Sequence, residues 1–143
     1  MADLDDLRKL LDEASVALNQ AEVTRDAVEE GVEMTTELPA PAKKRAVGKT
    51  WEPLKATLPP MVNLTARLRV RLGPNDPITV SFDKARMSIE AILEATALYT
   101  FQTPGGRGQE HTIAKYNAAD AEFRASSMAF VAAAVKRAGT LIK

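Results

Sequence analysis

Residues 4–32, LDDLRKLLDEASVALNQAEVTRDAVEEGV, decide the fold of this chain. Positions in this stretch lie alternately three and four residues apart, and all but one of them are apolar. The series is Leu4, Leu7, Leu11, Ala14, Leu18, Ala21, Arg25, Val28 and Val32. This spacing is that of an a/d seam over four heptads, and a strand with its period of two would scatter these residues over both faces. The segment is therefore predicted to be a helix that buries one stripe against other helices.

Charge is segregated along the chain, although the formal net charge is zero. Residues 1–37 carry eleven acidic and three basic side chains, whereas residues 38–75 carry one acidic and eight basic ones. Such an asymmetry bears on partners and packing more than on chemistry. The basic segment either pairs with the acidic first helix or contacts an external polyanion.

Length and composition limit the class of protein. A chain of 143 residues has the size of one domain, and a single domain over residues 1–143 is predicted. The absence of cysteine excludes disulfides, thiolate catalysis and cysteine zinc sites. The acidic start does not resemble a secretory signal, and the longest nearly uncharged stretch, residues 125–135, is too short to cross a bilayer. We expect a soluble, cytoplasmic protein.

Apolar seams with helical spacing, together with proline and glycine residues that end helices, predict four helices at residues 3–33, 50–72, 77–102 and 108–141. Residues 38–41, LPAP, cannot continue a helix, so a Pro-rich basic linker is predicted at about 37–50. Thr50 is the predicted N-cap of the second helix. Pro59-Pro60 is expected to kink or split that helix, because proline removes a backbone hydrogen bond.

The third helix depends on a choice between two patterns. Residues 78–82, ITVSF, are typical of a strand, but a three-four seam crosses the same stretch. Asp76 as N-cap and Pro77 at the first helical position favour a helix, which residues 103–106, TPGG, would end. The predicted fold is all-α, an elongated antiparallel four-helix bundle with the second helix kinked or split at Pro59-Pro60. Its predicted core is Leu7, Leu11, Leu18, Trp51, Leu54, Leu68, Phe82, Ile89, Ile92, Phe123 and Phe130.

No catalytic, cofactor-binding or metal-binding residue is predicted. Gly48-Lys49-Thr50 matches the end of a phosphate-binding loop, but the glycine required five residues earlier is Lys43. The single histidine, His111, cannot supply the two Glu-x-x-His pairs of a di-metal bundle. We therefore expect a protein that is not an enzyme and needs no cofactor.

Basic side chains in the middle of the chain define a candidate basic patch. Its members are Lys43, Lys44, Arg45, Lys49, Arg67 and Arg71. Clustered positive charge is typical of phosphate contacts with nucleic acid. The zero net charge, one aromatic residue in the segment and the lack of a reading-helix motif favour pairing with the acidic first helix instead. A nucleic-acid-associated protein that uses residues 43–71 is the first alternative function.

Two charged residues interrupt otherwise apolar seams. Arg25 lies in the first seam and Asp120 in the last, where a buried pair would set the helix register. A local drift of each seam, which lets both side chains reach solvent, is the preferred interpretation.

The fourth predicted helix is apolar on every face over residues 125–135, ASSMAFVAAAV. Neighbours in one small bundle cover about half of a helix circumference, so the rest needs another cover. Met128, Val131 and Val135 are therefore the predicted protein interface. The predicted function is a non-enzymatic helical-bundle assembly or adaptor module that acts through protein–protein contacts. Its predicted partner is a second copy of the chain or another helical protein, and a homo-oligomer is expected. A membrane-active bundle that uses this helix is the second alternative.

Overall fold

A computed structural model describes residues 2–100, 102 and 106–142. These residues form five α-helices and no strand. The helices are α1 (Ala2–Thr35), α2 (Ala40–Lys55), α3 (Leu58–Leu72), α4 (Pro77–Tyr99) and α5 (Arg107–Ile142). The predicted all-α class is confirmed, and α2 and α3 together take the place of the second predicted helix.

Helix α4 confirms the choice of helix over strand. Asp76 is its N-cap, and its Oδ1 accepts a hydrogen bond from the backbone nitrogen of Ile78 at 2.9 Å. Pro77 occupies the first turn, where its missing N–H costs nothing. Ile78 and Phe82 are both buried, because the seam spacing places them on one face. The helix ends at Tyr99, and the first three residues of the predicted TPGG stop, 103–105, lie outside the described residues.

The predicted linker at about 37–50 is wrong, because the chain is helical again from Ala40. Pro39 is the extended N-cap residue of α2, and Pro41 falls in the first turn, where a helix tolerates proline. The two prolines therefore start a helix instead of preventing one. Thr50 lies inside α2 rather than at its start, and its hydroxyl donates to the carbonyl of Val47 at 2.9 Å.

The break predicted at Pro59-Pro60 in the second helix lies about one turn earlier in the structure. Helix α2 ends at Lys55 and α3 begins at Leu58, so the bend is at residues 56–57. Pro59 and Pro60 occupy the first turn of α3. A proline ring clashes with the carbonyl four residues earlier, so the helix must stop before the prolines and not at them.

Helices α1 and α4 each contact all four other helices, and the most extensive contact is between α4 and α5. Every predicted core residue is buried except Trp51, which is half-buried against the core. The indole nitrogen of Trp51 donates to the carbonyl of Leu93 at 2.9 Å. Phe82 and Phe130 pack their rings 5.6 Å apart, which joins α4 to α5.

Candidate functional site

The outer face of α5 is the strongest candidate for a binding surface. Met128, Val131 and Val135 are 73%, 56% and 67% exposed. Phe123 and Phe130, on another face of the same helix, are buried in the core. Helix α5 thus carries large apolar side chains on two faces, of which the described helices cover one. The exposure of the three predicted interface residues is observed, and their role as an interface stays a prediction.

Small side chains extend this face along α5. No charged residue occurs between Arg124 and Lys136. Exposed residues beside the three large ones include Ala114, Ala118, Ala121, Ala125, Ala129, Ala132, Ala138 and Gly139. Because alanine and glycine project so little, another helix can approach this surface closely.

A groove of about 720 Å³ separates α5 from α1 beside this face. Met128 and Val131 line it from α5, and Glu22 and Asp26 line it from α1. The α5 wall is apolar apart from Arg124 and Ser127, and the α1 wall carries these two acidic side chains beside Arg25. The groove widens the accessible apolar surface, because it exposes the sides of Met128 and Val131 that face α1.

Arg25 and Asp120 form a buried ion pair beside this groove, so the predicted drift of both side chains to solvent is wrong. Arg25 is 3% exposed, and its Nη1 donates to Asp120 Oδ1. Asp26 accepts from Nη2 of the same guanidinium, and Oε2 of Glu29 lies 3.5 Å from Nη1. The ring centroid of Phe123 lies 5.6 Å from the guanidinium carbon. These acceptors offset the cost of burying the charge, which an isolated guanidinium would bear in full.

The pKa values around this pair follow from its partners. Burial alone would lower the pKa of Arg25, but the hydrogen bond and charge of Asp120, together with the charges of Asp26 and Glu29, outweigh burial and raise it. The guanidinium is therefore charged in the folded state. The only signal in the sequence was the opposite charge of two seam residues on the first and last helices.

Lys43 is not part of a surface patch, because its side chain is fully buried. Its Nζ donates to the carbonyl of Gln102 at 2.9 Å and to Oε1 of Gln109. The same nitrogen lies 4.5 Å from the ring centroid of Tyr99, whose hydroxyl donates to the carbonyl of Val32 at 3.0 Å. Lys43 thus connects α2 to the C-terminal end of α4 and the N-terminal end of α5. Sequence reasoning missed this role because lysine is almost never fully buried.

The rest of the candidate basic patch is partly engaged by the acidic first helix. Arg67 makes an ion pair with Glu13 of α1 at 2.6 Å, as the preferred interpretation of the charge segregation expected. The remaining members, Lys44, Arg45, Lys49 and Arg71, are exposed on α2 and α3.

The Gly48-Lys49-Thr50 segment and His111 are the other features of the sequence considered for chemistry. Lys49 and its neighbours lie inside α2 and do not follow a strand, so they do not form a phosphate-binding loop. His111 is exposed in the first turns of α5. Across the described parts of the chain, no three His, Asp or Glu side chains are grouped so that they could hold a metal ion.

No helix in residues 2–100, 102 and 106–142 combines the length and the apolar character that a membrane crossing requires. No protein-family model matches the chain, and searches of curated proteins and of solved structures find no match either. Function must therefore be inferred from the surface and packing of this chain alone.

The free energy of unfolding is expected to rise as the pH approaches 10.5, the ordinary pKa of lysine, from below. Burial lowers the pKa of Lys43 below its ordinary value of 10.5, and the charge of Glu37 opposes this shift only in part. Between the lowered pKa and 10.5, the unfolded chain binds more protons than the folded chain, so stability increases with pH. Urea unfolding at several pH values measures the slope.

Lys43→Met provides the control for this pH dependence, because methionine keeps the length of the side chain and cannot titrate. Its profile should be flatter than that of the wild type over the same range. Higher pH is avoided because burial raises the pKa of Tyr116, which makes stability fall once tyrosine in the unfolded chain ionises. Equal slopes for the two proteins would contradict the buried, titrating lysine.

Proposed function

We propose that this chain is a non-enzymatic assembly or adaptor module of the cytoplasm that acts through protein–protein contacts and associates with itself. The observation that carries the proposal is the exposure of Met128, Val131 and Val135 on a segment of α5, residues 125–135, that has no charged residue. Contiguous apolar surface on a folded domain commonly marks a protein interface.

We further propose that the helices pack as one antiparallel four-helix bundle, with α2 and α3 as the two halves of one arm. In support, α1 contacts α2 and α3, these contact α4, α4 contacts α5, and α5 contacts α1. Arg25 of α1 pairs with Asp120 of α5. Further along the chain from Arg25, the carbonyl of Thr36 accepts a hydrogen bond from Gln109, which precedes Asp120 on α5. The helices α1 and α5 therefore run in opposite directions. Each arm of such a bundle keeps one outward face, and that of α5 is the apolar one.

The two alternative functions are supported less well. Two members of the proposed nucleic-acid surface on residues 43–71 are engaged within the chain, because Lys43 is buried and Arg67 makes an ion pair with Glu13. A membrane-active role would require α5 to leave the core, and Arg137 at its end makes an ion pair with Asp76 at the start of α4. Both observations count against contacts with phosphates or lipid.

Val131→Glu is expected to lower the molar mass in solution and leave the helical content unchanged. The substitution places a charge in the centre of the proposed interface, and glutamate is a good helix former that a half-exposed helical position tolerates. Size-exclusion chromatography with light scattering measures the mass, and far-ultraviolet circular dichroism measures the helical content.

Val70→Glu on α3 is the matched control, because Val70 is 89% exposed and lies outside the α5 face. Its mass should equal that of the wild type. A wild-type protein that is monomeric at high micromolar concentration would refute self-association. An unchanged mass for Val131→Glu would refute the α5 face as its site.

A further inference from the structure

The exposed face of α5 has a heptad register of its own. Its central residues lie alternately four and three positions apart, and all of them are exposed: Ala121, Ala125, Met128, Ala132, Val135 and Gly139. This is the spacing of an a/d seam, and it is turned away from the buried Phe123 and Phe130. One helix therefore carries two seams, of which the bundle buries one.

Charges flank this outer seam in a symmetrical arrangement. Glu122, Ala129 and Lys136 follow one edge at intervals of a heptad, so Glu122 and Lys136 are equally far from Ala129. Both charged side chains are exposed, and neither makes an ion pair with any residue in the described part of the chain. The opposite edge carries Arg124 and Val131.

This pattern distinguishes the two possible orientations of a second α5 helix. In an antiparallel pair each edge faces the same edge of the other helix, so Glu122 meets Lys136 twice and Ala129 meets Ala129. In a parallel pair the Glu122 edge faces the other edge, which places Glu122 opposite Asn117 and Lys136 opposite Val131. Only the antiparallel pair satisfies both charges.

We propose that the α5 face binds a second copy of this chain, with the two α5 helices antiparallel about a two-fold axis close to Ala129. Glu122 of each copy pairs with Lys136 of the other, and Met128 packs on Ala132. The small residues of the seam allow the two backbones to approach closely. This geometry rests on the proposed self-association and specifies its partner and its orientation.

Charge exchange tests the pairing directly. Glu122→Lys and Lys136→Glu each replace two attractive contacts with two repulsive ones, and each should weaken self-association about tenfold at low salt. An equimolar mixture of the two variants should form a heterodimer as tight as the wild-type homodimer, because every edge contact is then attractive. The double variant Glu122→Lys/Lys136→Glu should also recover homodimer formation. Analytical ultracentrifugation measures each dissociation constant.

Cross-linking tests the orientation, since the chain has no cysteine of its own. Ala129→Cys should be joined to its counterpart by a short bismaleimide. Ala121→Cys should not, because the two copies of residue 121 would lie about 24 Å apart along the helix axes at 1.5 Å per residue. A parallel pair would give the opposite result: Ala121→Cys would cross-link, and Ala129→Cys would not, because the two copies of residue 129 would then lie on opposite edges of the seam.

The outcomes separate this inference from the function on which it rests. If the wild type does not associate, the proposed function fails and this geometry fails with it. A second outcome is that the wild type associates and Val131→Glu abolishes association, but the two charge variants do not complement each other. In that case self-association through α5 is supported and the antiparallel pairing is refuted. Cross-linking through Ala121→Cys would refute it in the same way.

Discussion

Asp120→Ala is expected to lower the free energy of unfolding by about 3 kcal/mol, because it removes one member of a buried ion pair. Arg25 is almost wholly buried and would keep its charge without its main acceptor. The loss falls at the lower end of the range for such pairs, since Asp26 and Glu29 still reach the guanidinium. Urea unfolding monitored by circular dichroism measures the change.

The double variant Arg25→Met/Asp120→Ala separates the pair from the space that it fills. With both charges removed, no uncompensated charge stays buried, and most of the stability lost in Asp120→Ala should return. Arg67→Ala is the control for an exposed ion pair and should cost less than about 1 kcal/mol. A double variant as unstable as Asp120→Ala would mean that packing, not charge, holds this contact.

Ile92→Ala and Leu11→Ala are each expected to lower the free energy of unfolding by about 2–5 kcal/mol. Ile92 lies at 0% exposure in α4, and Leu11 is buried in the seam of α1. Truncation of either removes apolar area from the core and leaves a cavity that rigid helices fill only in part. Chemical denaturation of the two variants beside the wild type gives both values.

Val70→Ala is the exposed counterpart and should change stability by no more than about 0.5 kcal/mol, because its side chain contacts mostly solvent. A loss below about 1 kcal/mol for both core variants would show that these seams do not face a closed core. Thermal unfolding of the same set should rank the variants in the same order.

Periodicity was sufficient to predict most of the helical structure. The seam of α1 and the Asp76-Pro77 start of α4 depend on interactions within a few residues, which the sequence shows directly. The start of α2 was misjudged because Pro39 and Pro41 permit either a linker or a helix start. Only the burial of one face of α2 against other helices decides between these two.

The exposed α5 face was also predictable, since a charge-free segment with large apolar residues on two faces cannot bury both in one small bundle. Periodicity shows which face of a helix is apolar, but it does not show which group lies opposite a polar residue on that face. Lys43 is buried because Gln109, which is 66 positions away, supplies an acceptor to its Nζ. Arg25 is buried because Asp120, 95 positions away, does the same. The cost of burying a charge depends on such distant partners, so tertiary packing alone determined where these two charged side chains lie.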